Sequence, residues 1–133
     1  LIPSCNSSFT IEAFDYLHKG GRCSGLTAML GGMLKIKPII KVDNGSLIVG
    51  SKARGKTKAL DKMIEDTLLY KDRILNNRLF ITHTTGSEEE AIYVKEILSQ
   101  HIADMIIHIT YAGCVIASHC GKKTIGILFI GED

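Results

Sequence analysis

No two of the four cysteines, at positions 5, 23, 114 and 120, stand at C-x-x-C spacing, and a chain of 133 residues does not need covalent staples. Reduced thiols are expected. His119 lies beside Cys120 and near Cys114, yet a zinc site asks for four converging ligands at a recognisable spacing, so no metal is expected. Neighbours on an extended chain point to opposite faces, which also argues against His119 and Cys120 as a catalytic pair. Charge of one sign is missing too: sixteen basic against fourteen acidic side chains leave a formal net charge of +2. Aromatics are 6% and form no interleaved platform, so nucleic acid is not expected as a partner. No apolar run reaches the length of a membrane span, and the opening Leu1-Ile2-Pro3-Ser4-Cys5 does not read as a signal peptide. A soluble, cytoplasmic protein is the expectation. An initiating methionine is absent as well, so a piece of a longer chain is expected, with residues 1–8 as a linker remnant and 9–133 as the domain.

What is present is apolar material, 45% of the residues, enough for one domain with a real core. Residues 7–18 read as a short helix with Thr10 as its cap, Ile11, Phe14 and Leu17 at helical spacing, and Gly20-Gly21 at its end. Ser24 caps a second helix whose Leu26, Met29, Leu30, Met33 and Leu34 make one apolar stripe, either core or the wall of a pocket. Pro38 ends it. Residues 39–43 and 47–49 are then strands of an antiparallel hairpin, because Asn44-Gly45 supplies the positive backbone dihedrals of a two-residue turn. A basic run leads to a helix with Ala59, Leu60, Met63, Ile64 and Leu68 facing inward, expected to end near residues 71–73. A strand at 79–83 follows. The capping box Ser87-Glu88-Glu89-Glu90 then opens a helix that buries Ala91, Val94, Ile97 and Leu98, and a strand at 105–110 completes a parallel crossover. Val115-Ile116-Ala117 and residues 125–130 read as two more strands, joined by a Gly-bounded turn that carries His119. The expected fold class is α/β in the α+β sense: a single domain with a mixed β-sheet, helices packed on it, and an antiparallel hairpin at 39–49.

Gly50-Ser51-Lys52-Ala53-Arg54-Gly55-Lys56-Thr57 fits the phosphate-loop pattern G-x-x-x-x-G-K-[ST] between a strand and a helix. Such a loop wraps backbone amides around phosphates inside a parallel sheet, whereas here the preceding strand is one arm of a tight antiparallel hairpin. No later strand ends in an aspartate to hold magnesium. A nucleotide-binding enzyme is therefore the alternative reading. Between it and a merely solvated loop lies a basic edge, Lys52, Arg54, Lys56 and Lys58, that meets a phosphate or an acidic partner.

Tyr16-Leu17-His18-Lys19-Gly20-Gly21-Arg22, Leu34-Lys35-Ile36-Lys37-Pro38-Ile39-Ile40, Asp43-Asn44-Gly45, Lys52-Ala53-Arg54-Gly55 and Ser118-His119-Cys120-Gly121 together resemble the DegV family of fatty-acid-binding proteins. The resemblance runs from about Phe9 to Phe129. It implies the C-terminal domain of a bacterial two-domain carrier, not an enzyme, whose N-terminal domain lies outside this sequence. Such carriers hold a long-chain fatty acid, with no cofactor, and present it to a fatty acid kinase that makes acyl phosphate for phospholipid synthesis. Carried over, the resemblance makes Arg22 and His119 the head-group residues, with Leu26, Met29, Leu30 and Met33 along the tail, joined by Phe14, Ile116 and Phe129. Lys52 and Arg54 match its kinase- or phosphate-facing site. An arginine fork and a histidine suit a carboxylate chemically. Many relatives have Gly-Pro-Gly where this chain has Gly121-Lys122-Lys123, which leaves the shape of that corner open. His83 is either a second junction residue or a hydrogen-bonded structural one. A purely structural interaction domain is the third reading.

Overall fold

The computed structural model describes residues 5–11, 36–43, 46–114, 116–117 and 121–131. Among them lie six strands and two helices: β1 (Cys5–Thr10), β2 (Ile36–Asp43), β3 (Ser46–Arg54), α1 (Lys56–Leu68), β4 (Ile74–His83), α2 (Glu88–His101), β5 (Ile106–Tyr111) and β6 (Ile125–Gly131). The strands form one sheet in the order β3-β2-β1-β6-β4-β5. β4 and β5 run parallel, as the intervening α2 crossover allows, and the other neighbours are antiparallel. The mixed sheet with packed helices is the expected fold class. Asp43 pairs with Ser46, so β2 and β3 form the expected antiparallel hairpin; Asn44-Gly45 itself lies outside the described residues.

Both helices use the stripe that their spacing sets out. Ala59, Leu60, Met63, Ile64 and Thr67 are the buried side of α1, and Ala91, Val94 and Leu98 that of α2. They pack with Ile39, Leu79, Ile81, Ile107, Ile125, Ile127 and Phe129 in one core, so this set of alternate strand positions defines the helix-side face of the sheet. Burying each of the Val, Leu, Ile, Met and Phe side chains among them stabilises the fold by roughly 1.5–3 kcal/mol. α1 stops at Leu68, short of residues 71–73. Turn bonds replace the helical ladder there, Tyr70 N–H donating to Thr67 O (2.9 Å) and Arg73 N–H to Tyr70 O (2.8 Å). β4 starts earlier than expected, at Ile74, and its pairing with β6 then jumps from Ile74↔Gly131 to Leu79↔Phe129. Asn76 (φ 57°) and Asn77 (φ 50°) make that irregularity, and asparagine is among the few residues that accept such dihedrals.

Two expectations are corrected. Residues 5–8 are not a linker, and 7–10 are not helical: Cys5–Thr10 is an inner strand, paired with β6 on one side and β2 on the other. Two neighbours that offer complete ladders outweigh the weak strand preference of Cys-Asn-Ser-Ser. The rest of the expected helix at 7–18, beyond Ile11, lies outside the described residues, as does the one that Ser24 would cap. Nor do Ile116 and Ala117 belong to a strand, and Val115 lies outside the described residues. Cys114, Ile116 and Ala117 are helical, with Ala117 N–H donating to Gly113 O (2.9 Å), so the described residues that follow β5 include a helical turn. An apolar run this short does not distinguish strand from helix by periodicity.

Candidate functional site

β4 and β5 end side by side, His83 opposite Tyr111, and β6 begins next to them with Ile125 opposite His83. In open α/β sheets the carboxyl ends of parallel strands are where ligands are usually met. Just past β4, Thr84 is buried and joins two passages of chain. Its hydroxyl donates to Gly121 O (2.8 Å) and accepts from the Thr124 N–H (2.9 Å), while its own N–H donates to Thr124 O (3.0 Å). Thr124 Oγ1 also donates to Gly121 O (3.0 Å), and Lys123 N–H donates to Thr85 O (2.8 Å). Gly121 and Lys123 both have positive φ, 80° and 59°. The corner here keeps the left-handed backbone with a lysine, at a cost of roughly 1–2 kcal/mol.

Ala117 and Gly121 flank the His119 stretch, and Gly121 N–H donates to Ala117 O (2.8 Å). His119 itself lies outside the described residues, and so do Arg22, Leu26, Met29, Leu30, Met33 and Phe14. Ile116 is exposed, and Phe129 belongs to the helix-side core, where its ring tilts against Tyr70 at 5.3 Å. His83 is buried, donates from Nδ1 to Thr84 O (3.1 Å) and packs against the Tyr111 ring at 4.4 Å, the environment of a structural histidine.

The start of α2 borders this corner. Glu88 accepts the Gly86 N–H (3.1 Å to Oε2) and the Tyr111 hydroxyl (3.3 Å to Oε1). Hydrogen bonds from its own backbone amide and that of Gly86 hold the Glu88 carboxyl below the usual carboxylate range, and the Glu88 charge in turn pushes the Tyr111 phenol up. Ser87 departs from the expected capping box: its hydroxyl donates to Glu90 Oε1 (3.3 Å) and caps no helix amide.

The phosphate-loop match does not fold as a phosphate loop. Its first residues continue β3, an edge strand, out to Arg54. The motif lysine, Lys56, donates to Lys123 O and lies 3.6 Å from Glu90. Within β3 the pairing steps from Ile40↔Val49 to Ile39↔Ser51, so Gly50 is an extra, bulged residue. A side chain there would collide with Lys41, whose Cε would lie 2.8 Å from the added carbon. Because strand side chains alternate, that one extra residue turns the exposed Lys52 and Arg54 to the side away from α1 and α2. Sequence reading found the basic pair but not the bulge, for which a glycine inside a strand was the available signal.

On this second face of the sheet, Leu128 pairs with Ser7 and Phe80, and Phe80 with His108. Leu128 and Phe80 remain 36% and 38% exposed, although Ile40, towards the β2 side of the same face, is buried. An open, mainly apolar trough of ≈ 230 Å³ lies here, lined in part by Ser7, Leu75, Phe80, Leu128 and Ile130. Arg78 edges it, donating from Nη1 to His108 Nε2 (3.1 Å), and the His108 ring stacks on Phe80 at 5.0 Å. Ligand pockets usually span about 300–1,000 Å³, so the trough by itself accommodates part of a long apolar ligand. Sequence reading missed Phe80, Leu128 and Arg78 as a surface. The unbroken apolar run Ile127-Leu128-Phe129-Ile130 in β6 was the signal, since a strand with one solvated face would alternate. Among the described residues no group of three or more His, Cys, Asp or Glu is placed to hold a metal ion, and no helix is long and apolar enough to cross a membrane.

Comparison with known proteins agrees with this architecture. A family model described as "Uncharacterised protein, DegV family" matches residues 1–132. A DegV domain-containing protein of Deinococcus radiodurans is 34% identical over 126 residues, which is 94% of this chain and 44% of that protein. The crystal structure of a fatty acid binding DegV family protein from Streptococcus agalactiae superposes with a TM-score of 0.86 at 25% identity, over 99% of this chain and 46% of the other. A DegV family structure from Ruminococcus gnavus, refined with vaccenic acid, gives 0.81 at 28% identity, over 96% and 45%. The chain spans about half the length of the curated relatives it matches.

Proposed function

The chain belongs to the DegV family, and from that premise we propose that it is the C-terminal, lipid-holding half of a two-domain fatty-acid carrier. The single observation that carries this is the match along residues 1–132 together with close structural neighbours whose names state fatty acid binding. Arg22 and His119 hold the carboxylate at the junction with an N-terminal domain, and Leu26, Met29, Leu30 and Met33 line the tail. The apolar second face supports this reading, because Phe80 and Leu128 offer half-open apolar surface on which acyl methylenes gain roughly 0.8 kcal/mol each. Affinity then comes from the tail and register from the head.

Lys52 and Arg54 meet the fatty acid kinase or the acyl phosphate it forms, and the protein itself is a cytoplasmic carrier with no catalytic residue. The Gly50 bulge favours this role, since it sets both basic side chains on the face that carries the trough. Mass spectrometry of a denatured extract of the full-length protein is expected to find one long-chain fatty acid per molecule. Arg22→Ala and His119→Ala should each weaken its retention by roughly tenfold or more, the cost of a lost charge-assisted hydrogen bond. Repeated extraction without any acyl chain would defeat the proposal.

A further inference from the structure

Lys56 occupies the lysine position of the phosphate-loop pattern, and its ammonium is engaged within the chain. It reaches Lys123 O in the corner and Glu90 Oε1 in the first turn of α2, 3.6 Å away. Glu90 is itself fixed by the Ser87 hydroxyl (3.3 Å). The site of contact is a turn whose backbone is held in an unfavourable conformation: Lys123 has φ 59°, its N–H is taken by Thr85 O, and Gly86, at φ 92°, faces its side chain. The residue before α1 is Gly55, which has no side chain to cap the helix, and the contacts of Lys56 with Lys123 and Glu90 run to other elements. A carbonyl that accepts from an ammonium gains a charge-assisted hydrogen bond, stronger than a bond to water or to a neutral donor.

We propose that Lys56 is a positioning residue: it pins the start of α1 to the 121–124 corner and to α2, and thereby sets the turn that follows His119 in the head-group site. The role at the head group rests on the fatty-acid reading above; the pin itself does not. A lysine that would bind phosphate in a nucleotide fold here orders a carbonyl-bearing turn. Lys52 and Arg54, four and two positions earlier in β3 and exposed, remain directed outward.

The test uses the full-length protein with Lys56→Met, Lys56→Arg and, as a surface control on the same helix, Lys62→Met. Hydrogen exchange of the Lys123 and Thr124 amides is expected to quicken roughly tenfold in Lys56→Met, to stay near wild type in Lys56→Arg, and to be unchanged in Lys62→Met. Fatty-acid affinity should fall roughly tenfold in Lys56→Met alone. Unchanged exchange at both amides overturns the pin, whether or not any lipid binds. Quickened exchange with wild-type lipid affinity overturns its role at the head group. A wild-type protein that holds no fatty acid defeats the carrier reading, and the exchange arm still decides the pin. Should Lys56→Met not fold, Lys56→Gln, which keeps a polar end but loses the charge and the reach, gives the same two readings.

Discussion

The two faces of the sheet are made by the same strands and have different fates. On β6, Ile125, Ile127 and Phe129 go into the core with α1 and α2, while Leu128 between them stays 36% exposed. On β4 the contrast is Ile81, fully buried, against Phe80 at 38%. Apolar residues therefore occupy both sides, but among the described elements helices close only one. A strand whose second face met only water would carry polar residues there. The difference teaches that the second face is shaped for apolar company that α1 and α2 do not supply, which is the property a lipid carrier needs.

Truncation on the two faces gives the widest predicted gap. Ile127→Ala opens a cavity in a packed interior and is expected to cost about 2–5 kcal/mol, read as a fall in the urea unfolding midpoint. Leu128→Ala, one position away, removes surface that is partly wet and should cost less than about 1.5 kcal/mol. Instead it should shrink the rise in melting temperature that added fatty acid brings. Equal costs for the two variants would break the comparison, because the second face would then be an ordinary core.

That contrast also marks what the sequence makes legible. Both helices follow from their stripes, and the hairpin from Asn44-Gly45, since a single local feature decides each. β1 is different. Cys5-Asn6-Ser7-Ser8 has little strand preference of its own and becomes an inner strand because β2 and β6 lie on either side, information held far away in the chain. The helical turn through Ile116 and Ala117 is a second case, where β-branched residues suggest strand and two backbone bonds, from Ala117 N–H to Gly113 O and from Gly121 N–H to Ala117 O, decide otherwise. Of the candidate site, residue types were legible and geometry was not. Lys52 and Arg54 announce a basic edge, but only the Gly50 bulge decides which face they serve. Thr84, which holds the corner, carries no sequence signal that sets it apart from a turn residue.

A smaller effect sharpens the covered face. Thr10 pairs with Ile39 and Ile125, so it points into the helix side, and it is fully buried with no partner for its hydroxyl among the described residues. A buried hydroxyl without a partner costs about 1–3 kcal/mol relative to a satisfied one, and valine has nearly the same shape. Thr10→Val is expected to raise stability by about 1 kcal/mol, measured as an upward shift of the unfolding midpoint. Destabilisation by that amount would mean the hydroxyl has a partner and the covered face is less purely apolar than its neighbours imply.

The smallest effect belongs to the corner where both faces end. Lys123 sits at φ 59°, a region in which its Cβ crowds the following carbonyl, whereas glycine adopts it freely. Lys123→Gly relieves that crowding and also removes the side chain that faces Gly86, where an added carbon would lie 3.0 Å from Lys123 Cγ. Against this, glycine leaves the unfolded chain freer, which takes back about 0.4–1 kcal/mol. The net gain should be under about 1 kcal/mol, with the Lys56 bond kept, because Lys56 takes the backbone carbonyl and not the side chain. The distinguishing measurement is the pair: Lys123→Gly should leave Thr124 amide exchange slow where Lys56→Met quickens it. If Lys123→Gly loosens the corner as much as Lys56→Met does, the lysine side chain at 123 is itself a strut, and the difference between a corner fixed by backbone bonds and a sheet face fixed by packing no longer holds.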